Sequence, residues 1–475
     1  MTKTAPDFYK DLIKSFPFEP TEVQNVLLLQ LSEFIFDKKK EGLFLLKGYA
    51  GTGKTTTIST VVKDLWKTGK KSVMLAPTGR AAKVISGYAG RQAFTIHKKI
   101  YHPRKAKNGG VNFVKQVNKH TNTFFIVDEA SMISDATSNS KLFDNGSLLD
   151  DLISYVYSGN GCKLILIGDT AQLPPVKLDI SPALDADKLS FNYNKDVIEL
   201  ELSEVMRQHA DSGILVNATN LRNQLTIDGF YDFQFKLGYP DLIRLVDGYD
   251  IEDAITVAYD NDGVEDTAFI VRSNKRANQY NQQIRTKIRG QENEISTGDF
   301  VMVVKNNYFW LSDSSEAGFI ANGDICEILE IRSIKELYGF RFADVKIRMI
   351  DYKNQRPFDT VILLDTLTSE TPSLSYEDSN RLYQEVSKDF EDEKSKYKKL
   401  LSIKKNKYFN ALQVKFSYAM TCHKSQGGQW KTVFIEQPYL PEGPNRDYLR
   451  WLYTAVTRAQ EKLYLIGFKD DFFEE

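Results

Sequence analysis

Eight residues, Gly48-Tyr-Ala-Gly-Thr-Gly-Lys-Thr55, constrain what this chain can fold into more than any other feature. They fit the pattern GxxxxGK[ST], follow the apolar run Leu43-Phe-Leu-Leu-Lys47, and precede the helix-like TTTISTVVKDLW. Strand, glycine-rich loop and helix in that order close backbone N–H groups around phosphates at a helix N-terminus. Gly48, Ala50, Gly51, Thr52, Gly53, Lys54, Thr55 and Thr56 then form a nucleotide cradle. Lys54 supplies charge to the β and γ phosphates and the Thr55 hydroxyl holds Mg²⁺, so ATP and Mg²⁺ are the expected cofactors.

Two further apolar runs point the same way. Thr123-Phe-Phe-Ile-Val127 ends in Asp128-Glu129, as expected where a central strand delivers carboxylates to the edge of a parallel sheet. Asp128 is expected to hold Mg²⁺, and Glu129 to orient and deprotonate the attacking water, which favours hydrolysis over transfer to a bound acceptor. Lys163-Leu-Ile-Leu-Ile-Gly168 leads into Asp169-Thr-Ala-Gln-Leu-Pro-Pro175 and places Gln172 where it could sense the γ phosphate. By itself that last segment is a strand followed by a proline turn.

A chain of 475 residues is too long for one ordinary domain. With 42% hydrophobic and 26% charged residues it has a globular balance, and no apolar run approaches the roughly 18 residues of a membrane span. The start, MTKTAPDFYKDLIK, lacks the apolar stretch of a secretory signal, so a cytoplasmic location without membrane attachment is expected. Cys162, Cys326 and Cys422 are scattered without metal or disulfide spacing and read as reduced thiols. The net charge of -1 does not decide the partner, because a nucleic-acid binder needs only a local basic track.

With these pieces in order, the chain resembles superfamily 1 helicases, specifically the superfamily 1B branch of RecD-like and Dda-like enzymes. Glu19-Pro-Thr-Glu-Val-Gln24 looks like the adenine-reading Q motif, which makes Gln24 a nucleotide contact. Ala76-Pro-Thr-Gly-Arg-Ala-Ala82 and Thr95-Ile-His-Lys98 look like the first DNA-contacting loops, which implies DNA contacts at Pro77, Thr78, Arg80, Thr95 and His97. Arg272-Ser-Asn-Lys-Arg-Ala-Asn278 is similar to motif IVa and brings in Asn274. Leu202-Ser-Glu-Val-Met-Arg-Gln208 is similar to motif IV, Phe416 to Gly428 to motif V, and Tyr453-Thr-Ala-Val-Thr-Arg-Ala459 to motif VI. Motif V adds Thr421, His423, Lys424 and Ser425 to the DNA path; Arg207 and Arg458 become candidate arginine fingers. His97 and His423 have no triad partner or ligand spacing, so structural hydrogen bonds remain the other reading of both. Gln429 stands where the family usually has Glu, which leaves that position's role open.

Between the second DNA loop and Asp128, residues 98–120 hold seven Lys or Arg and no acid, with a turn at Asn108-Gly109-Gly110. The segment reads as a basic β-hairpin. Arg104, Lys105 and Lys107 would neutralise phosphates, while Tyr101 or Phe113 could stack on a base or wedge at a duplex fork. The family places its strand-separating pin here. Alternating apolar residues from Gly339 to Leu364 fit a small barrel, SH3-like by resemblance. From Ser375 to Tyr408 the pattern becomes a charged helical tower with an apolar stripe of Leu382, Val386, Phe390, Tyr397 and Leu401.

The resulting expectation is an α/β chain with two RecA-like motor domains built on parallel sheets. Domain 1A takes 1–97 and 121–207, the pin 98–120, domain 2A 208–320 and 414–475, and the barrel and tower 321–413. The resemblance implies an ATP-dependent, monomeric helicase that moves 5′ to 3′ on single-stranded DNA and opens duplex forks. A single-strand-binding or a replication or repair protein fits as an accessory partner. An RNA helicase, a P-loop switch and a motor that remodels protein on DNA share some or all of these motifs.

Overall fold

The computed structural model describes residues 3–105, 111–135, 147–204, 211–227, 229, 231–312, 315, 317–352 and 354–474; for 103–105 and 111–113 it describes the backbone alone. Its first sheet has six parallel strands in the order Ala93–Thr95, Lys71–Ala76, Thr123–Val127, Lys163–Gly168, Gly42–Gly48 and Asp196–Leu202. The continuous apolar runs of the sequence become the central strands because both of their faces are covered. Alternate residues of Gly42–Gly48 divide between two cores. Phe44 and Leu46 pack with Leu27, Leu31 and Val62 on one side; Leu43 and Leu45 meet Leu149, Leu152 and Val156 on the other. Each such fully buried side chain stabilises the fold by about 1.5–3 kcal/mol.

A second parallel sheet runs Ala419–Thr421, Thr267–Val271, Trp430–Glu436, Ala459–Ile466 and Leu242–Leu245. Its helix Arg446–Val456 buries Leu449, Leu452 and Val456 against the sheet and turns Tyr453 and Thr454 toward the first unit. Both sheets thus present the carboxyl ends of their strands to loops that carry the motifs, the usual place for ligands in such sheets.

The barrel is closed and five-stranded: Phe300–Val303, Ile325–Leu337, Phe340–Met349, Phe358–Leu363 and Leu412–Phe416. It therefore begins before residue 321 and ends after residue 413, because Phe300–Val303 pairs with both Ile325–Leu337 and Leu412–Phe416. A buried pair of hydrogen bonds from Arg285 to Asp299, each 2.9 Å, ties the barrel's first strand to the second sheet's helical layer. The Tyr418 hydroxyl donates to the same carboxylate.

The charged tower is two helices, Tyr376–Lys388 and Lys396–Lys405, with Ser375 and Ser395 as their N-caps. The break between them changes the expected stripe. Leu382 and Val386 are buried against Phe340, Phe342 and Leu363, and Ile403 joins them, whereas Leu401 is only half-buried. In the basic segment, Tyr101–Lys105 and Val111–Lys115 pair antiparallel as a hairpin. Residues 106–110, including Lys107, lie outside the described residues. Among the described residues no helix is long and apolar enough to cross a membrane.

Candidate ATP site and nucleic-acid path

The phosphate loop departs from the buried strand Gly42–Gly48 and ends where helix Lys54–Asp64 begins. Gly51 and Gly53 hold φ of 74° and 82°, a left-handed backbone that a side chain would strain. At Gly48 an added Cβ would stand 2.9 Å from Lys54, so the glycine there clears the lysine's stem. Lys54 Nζ donates to the carbonyls of Gly48 and Tyr49, both at 2.7 Å, which holds its charge over the loop. Ala50, Thr52, Thr55 and Thr56 complete the turn, and the Thr52 hydroxyl donates to the Tyr49 carbonyl. Gln24 is buried with both ends of its amide engaged. Its Nε2 donates to the Thr52 carbonyl at 3.1 Å and its Oε1 accepts from the Thr21 N–H at 3.1 Å. In this geometry Gln24 braces the loop from behind.

Asp128 and Glu129 follow strand Thr123–Val127 as expected. Glu129 adopts φ 56° and ψ 37°, a left-handed conformation rare outside glycine and of the kind that concentrates at functional sites. Its N–H donates to Asp128 Oδ1 at 2.8 Å. Burial pushes the Glu129 carboxyl up to about 7; the Arg458 guanidinium pulls the other way, and Asp128 adds to the rise. Burial likewise raises Asp128, against the Glu129 N–H and the charge of Lys54. A carboxyl poised near neutrality beside a phosphate cradle can take a proton from water. The hydroxyl of Thr55 and the carboxylate of Asp128 offer the hard oxygen donors that Mg²⁺ prefers. Among the described residues there is no cluster of three or more His, Cys, Asp and Glu, so an ion here would share its coordination with phosphate and water.

The second unit closes this site. Tyr453 accepts from the Ala50 N–H of the phosphate loop at 2.9 Å and donates to Asp169 at 2.7 Å. The Leu173 N–H donates to Thr454 at 2.8 Å, and Gln426 Nε2 donates to the Leu173 carbonyl at 2.7 Å. Arg458 is buried, with its guanidinium donating to the carbonyls of Thr454 and Gly428 and to the Thr457 hydroxyl. Its charge reaches Glu129 and Asp169. Gln172 is buried at the same junction, its Oε1 without a hydrogen-bond partner among the described residues. Arg207 lies outside the described residues. Tyr453 and Asp169 were missed by motif reading. Tyr453 stands inside the quoted motif VI, but only a fold brings its hydroxyl to the phosphate loop.

Along the expected DNA path the positions separate. Pro77 and Thr78 lie at the end of strand Lys71–Ala76. The Thr78 and Thr95 hydroxyls cap helices by accepting from the N–H groups of Ala81 and Lys98. Asn274, Thr421 and Lys424 are half-buried and His423 is exposed. Lys424 Nζ has no partner among the described residues, and burial brings its pKa down to about 8. Burial lowers His97 to about 4, so its imidazole is neutral at ordinary pH.

Three positions require correction. Tyr101 is 6% exposed and donates its hydroxyl to Asp151 at 2.7 Å, so the ring belongs to the core at the hairpin's root and is not free to stack on a base. Ser425 is fully buried and donates to the Cys422 carbonyl, which leaves its hydroxyl no route to DNA. Arg80 crosses to the second unit, stacks its guanidinium 4.2 Å from the Trp430 ring centre, and points to the carbonyls of Glu265 and Gln429. It is an inter-unit contact in this geometry. The side chains of Arg104, Lys105 and Phe113 lie outside the described residues.

The tail Gly427-Gly428-Gln429 gains a physical reason. A Cβ on Gly427 would meet Ala81 at 2.8 Å, and one on Gly428 would meet Trp430 at 2.5 Å and Arg80 at 3.0 Å. Glycine lets the first unit's helix Gly79–Ala89 approach this closely. The Gln429 Oε1 accepts from Gln460 at 2.9 Å and from Tyr88 at 3.4 Å, a neutral bridge between the units.

Fold and site together define a P-loop ATPase whose nucleotide cleft is shared by two parallel-sheet units. A family model described as "AAA domain" matches residues 36–231, and one described as "UvrD-like helicase C-terminal domain" matches residues 416–466. The chain is 26% identical to the ATP-dependent DNA helicase dda of Enterobacteria phage T4, over 90% of this chain and 95% of that one. It is 31% identical to the ATP-dependent RecD2 DNA helicase of Deinococcus radiodurans over 38% of this chain and 21% of that one. A solved Pif1 helicase from Candida albicans aligns over 96% of this chain and 97% of its own at 16% identity and a TM-score of 0.42. The Pif1 helicase from Bacteroides in complex with ADP-AlF3 and ssDNA aligns over 96% and 94% at 15% identity and a TM-score of 0.43. By these matches the chain is similar to superfamily 1B helicases, and it is an ATP-binding, ATP-driven enzyme.

Proposed function

We propose that this protein hydrolyses Mg-ATP between its two parallel-sheet units and uses the cycle to move 5′ to 3′ along single-stranded DNA and open duplex forks. The observation that carries the reading is the shared cleft: Ala50 and Glu129 come from one unit, Tyr453 and Arg458 from the other. An arginine and a tyrosine that reach the site only when the units meet make hydrolysis depend on closure, so that a chemical step becomes a movement. Lys54 holds the terminal phosphates, Thr55 and Asp128 supply oxygen donors to Mg²⁺, and Glu129 takes the proton of the attacking water. Gln172 senses the γ phosphate, and Arg207 joins Arg458 as a second finger. The division into motor domains, hairpin pin and barrel-tower insertion follows the observed sheets, with the barrel taken from Phe300 to Phe416. Thr78, Thr95, Asn274, Thr421, His423 and Lys424 line the DNA path. The likeness to the phage T4 helicase, along nearly the whole of both chains, supports DNA as the track, and the polarity is the direction typical of these helicase families.

The test compares ATP-driven unwinding of two matched duplexes, one with a 5′ and one with a 3′ single-stranded tail, alongside DNA-stimulated ATPase. Opening of the 5′-tailed duplex alone is expected. Opening of the 3′-tailed duplex alone overturns the polarity, and stimulation of ATPase by single strands with neither duplex opened reduces the protein to a translocase. Competition between DNA and RNA tails separates a DNA motor from an RNA motor.

A further inference from the structure

Outside the cleft and the expected DNA path, the first unit carries a groove of about 570 Å³ beside the root of the hairpin. Phe94, Lys99, His102, Lys119, His120 and Tyr155 are among its walls, and no carboxylate lines it among the described residues. Its position follows from the sheet. Strand Ala93–Thr95 pairs only with Met74–Ala76, which leaves the earlier half of strand Lys71–Ala76 uncovered at the edge. Lys119 and His120 precede strand Thr123–Val127, whose first residue is level with Lys71. The groove therefore runs from the hairpin root toward the amino ends of the strands. Thr78 and Thr95, on the expected path of the tracking strand, follow the carboxyl ends.

Much of the positive charge beside the groove has no acidic partner among the described residues. Lys71, Lys99 and Lys119 make no ion pair among the described residues. The acid close to the hairpin root, Asp151, is already engaged by Tyr101 and Lys115. Lys99 Nζ lies 5.4 Å from the Phe94 ring centre, which leaves its head toward the groove. The His120 imidazole is held below its ordinary pKa, first by burial and then by the positive charges of Lys99 and Lys71. Cationic heads interleaved with the partly exposed rings of Phe94, His102 and His120 along a concave strip are the chemistry that takes a single-stranded nucleic acid, the cations on phosphates and the rings on bases. In a chain of net charge -1, such a strip is a local feature and not a consequence of overall charge.

We propose that this groove is a second nucleic-acid site, which holds the phosphate backbone of the strand displaced at the hairpin while the tracking strand runs over the carboxyl ends of the sheets. The proposal rests on the helicase reading, because a displaced strand exists only at a fork that the hairpin divides. It gives the freed strand a track on the far side of the hairpin and so opposes its re-pairing.

The test measures binding of the full chain, without ATP, to a 5′-tailed duplex and to the same duplex carrying a non-complementary 3′ arm on the other strand. The wild type is expected to bind the forked form more tightly. Lys99→Gln with Lys119→Gln should remove that preference. It should also shrink the salt slope of fork binding by about 1.4 in log–log terms, or about sevenfold less loss of affinity between about 50 and about 200 mM salt. ATPase stimulated by a plain single strand should be unchanged, and Lys99→Arg with Lys119→Arg should keep the preference. Retention of the fork preference in the Gln variant overturns the proposal. So does an equal loss of affinity for plain single strands, which would assign the groove to the tracking strand. Because the readout is binding, a wild type that binds the arm yet opens no duplex would sink the helicase reading separately.

Discussion

The Glu129 carboxyl supplies a prediction whose size follows from the geometry. Its rise from an ordinary 4.5 to about 7 amounts to about 3 kcal/mol against the charged form, at about 1.36 kcal/mol per tenfold change in protonation. The base is active when deprotonated. Single-strand-stimulated kcat/KM, which reports the free enzyme, should therefore climb with pH through an acid limb centred near 7. At about pH 6 it should stand near a tenth of its plateau, and at about pH 8 near nine tenths. Arg458 is the positive charge that opposes this rise, so Arg458→Gln should move the limb to higher pH as well as lower the plateau. Steady-state ATPase from about pH 5.5 to 9, with Glu129→Gln as the control that removes the limb, checks both statements. A flat wild-type profile, a limb that persists in Glu129→Gln, or a limb that moves to lower pH in Arg458→Gln would refute the reasoning.

Lys54→Ala should abolish ATPase by removing the phosphate charge. Glu129→Gln should leave nucleotide binding intact, read by fluorescent-nucleotide titration, while stalling hydrolysis. Tyr453→Phe deletes the hydroxyl that joins the Ala50 N–H to Asp169; loss of a hydrogen bond to a buried carboxylate is worth about 1.5–3 kcal/mol, so kcat should fall at least tenfold in single-turnover ATPase. Gly428→Ala drives a methyl toward the Trp430 ring and the Arg80 guanidinium and should destabilise the chain by about 1–3 kcal/mol, seen as a lower Tm.

Much of the nucleotide site was legible because its parts are contiguous. Gly48 to Thr55 encodes strand exit, turn and helix start within one short segment, and the runs ending at Asp128 and Gly168 are buried on both faces and so announce central strands. The two arms of the hairpin were legible for a similar local reason: the sequence sets Asn108-Gly109-Gly110 between two β-capable segments, and those segments pair. The tower was read as one stripe because helical periodicity continues across residues 389–395, whereas Ser395 caps a new helix.

Side-chain partnerships were not legible. Tyr101 reads as an exposed aromatic in a basic segment, and only the packing of Asp151 beside it turns the ring inward. Ser425 and Arg80 stand in DNA-contact motifs by position, yet one is folded back on Cys422 and the other is drawn to Trp430.

The sequence by itself determined the chemistry of the phosphate cradle, the carboxylate pair and the parallel sheet that carries them, since these depend on residue type at short spacing and on runs of apolar residues; the second parallel-sheet unit was implied by the family resemblance. The tertiary structure alone decided which atoms share the cleft. The hydrogen bond from Ala50 to Tyr453 joins residues 403 apart in the chain, and that from Tyr453 to Asp169 spans 284. No local pattern specifies such a contact, because it depends on how two sheets with separate cores are packed against one another.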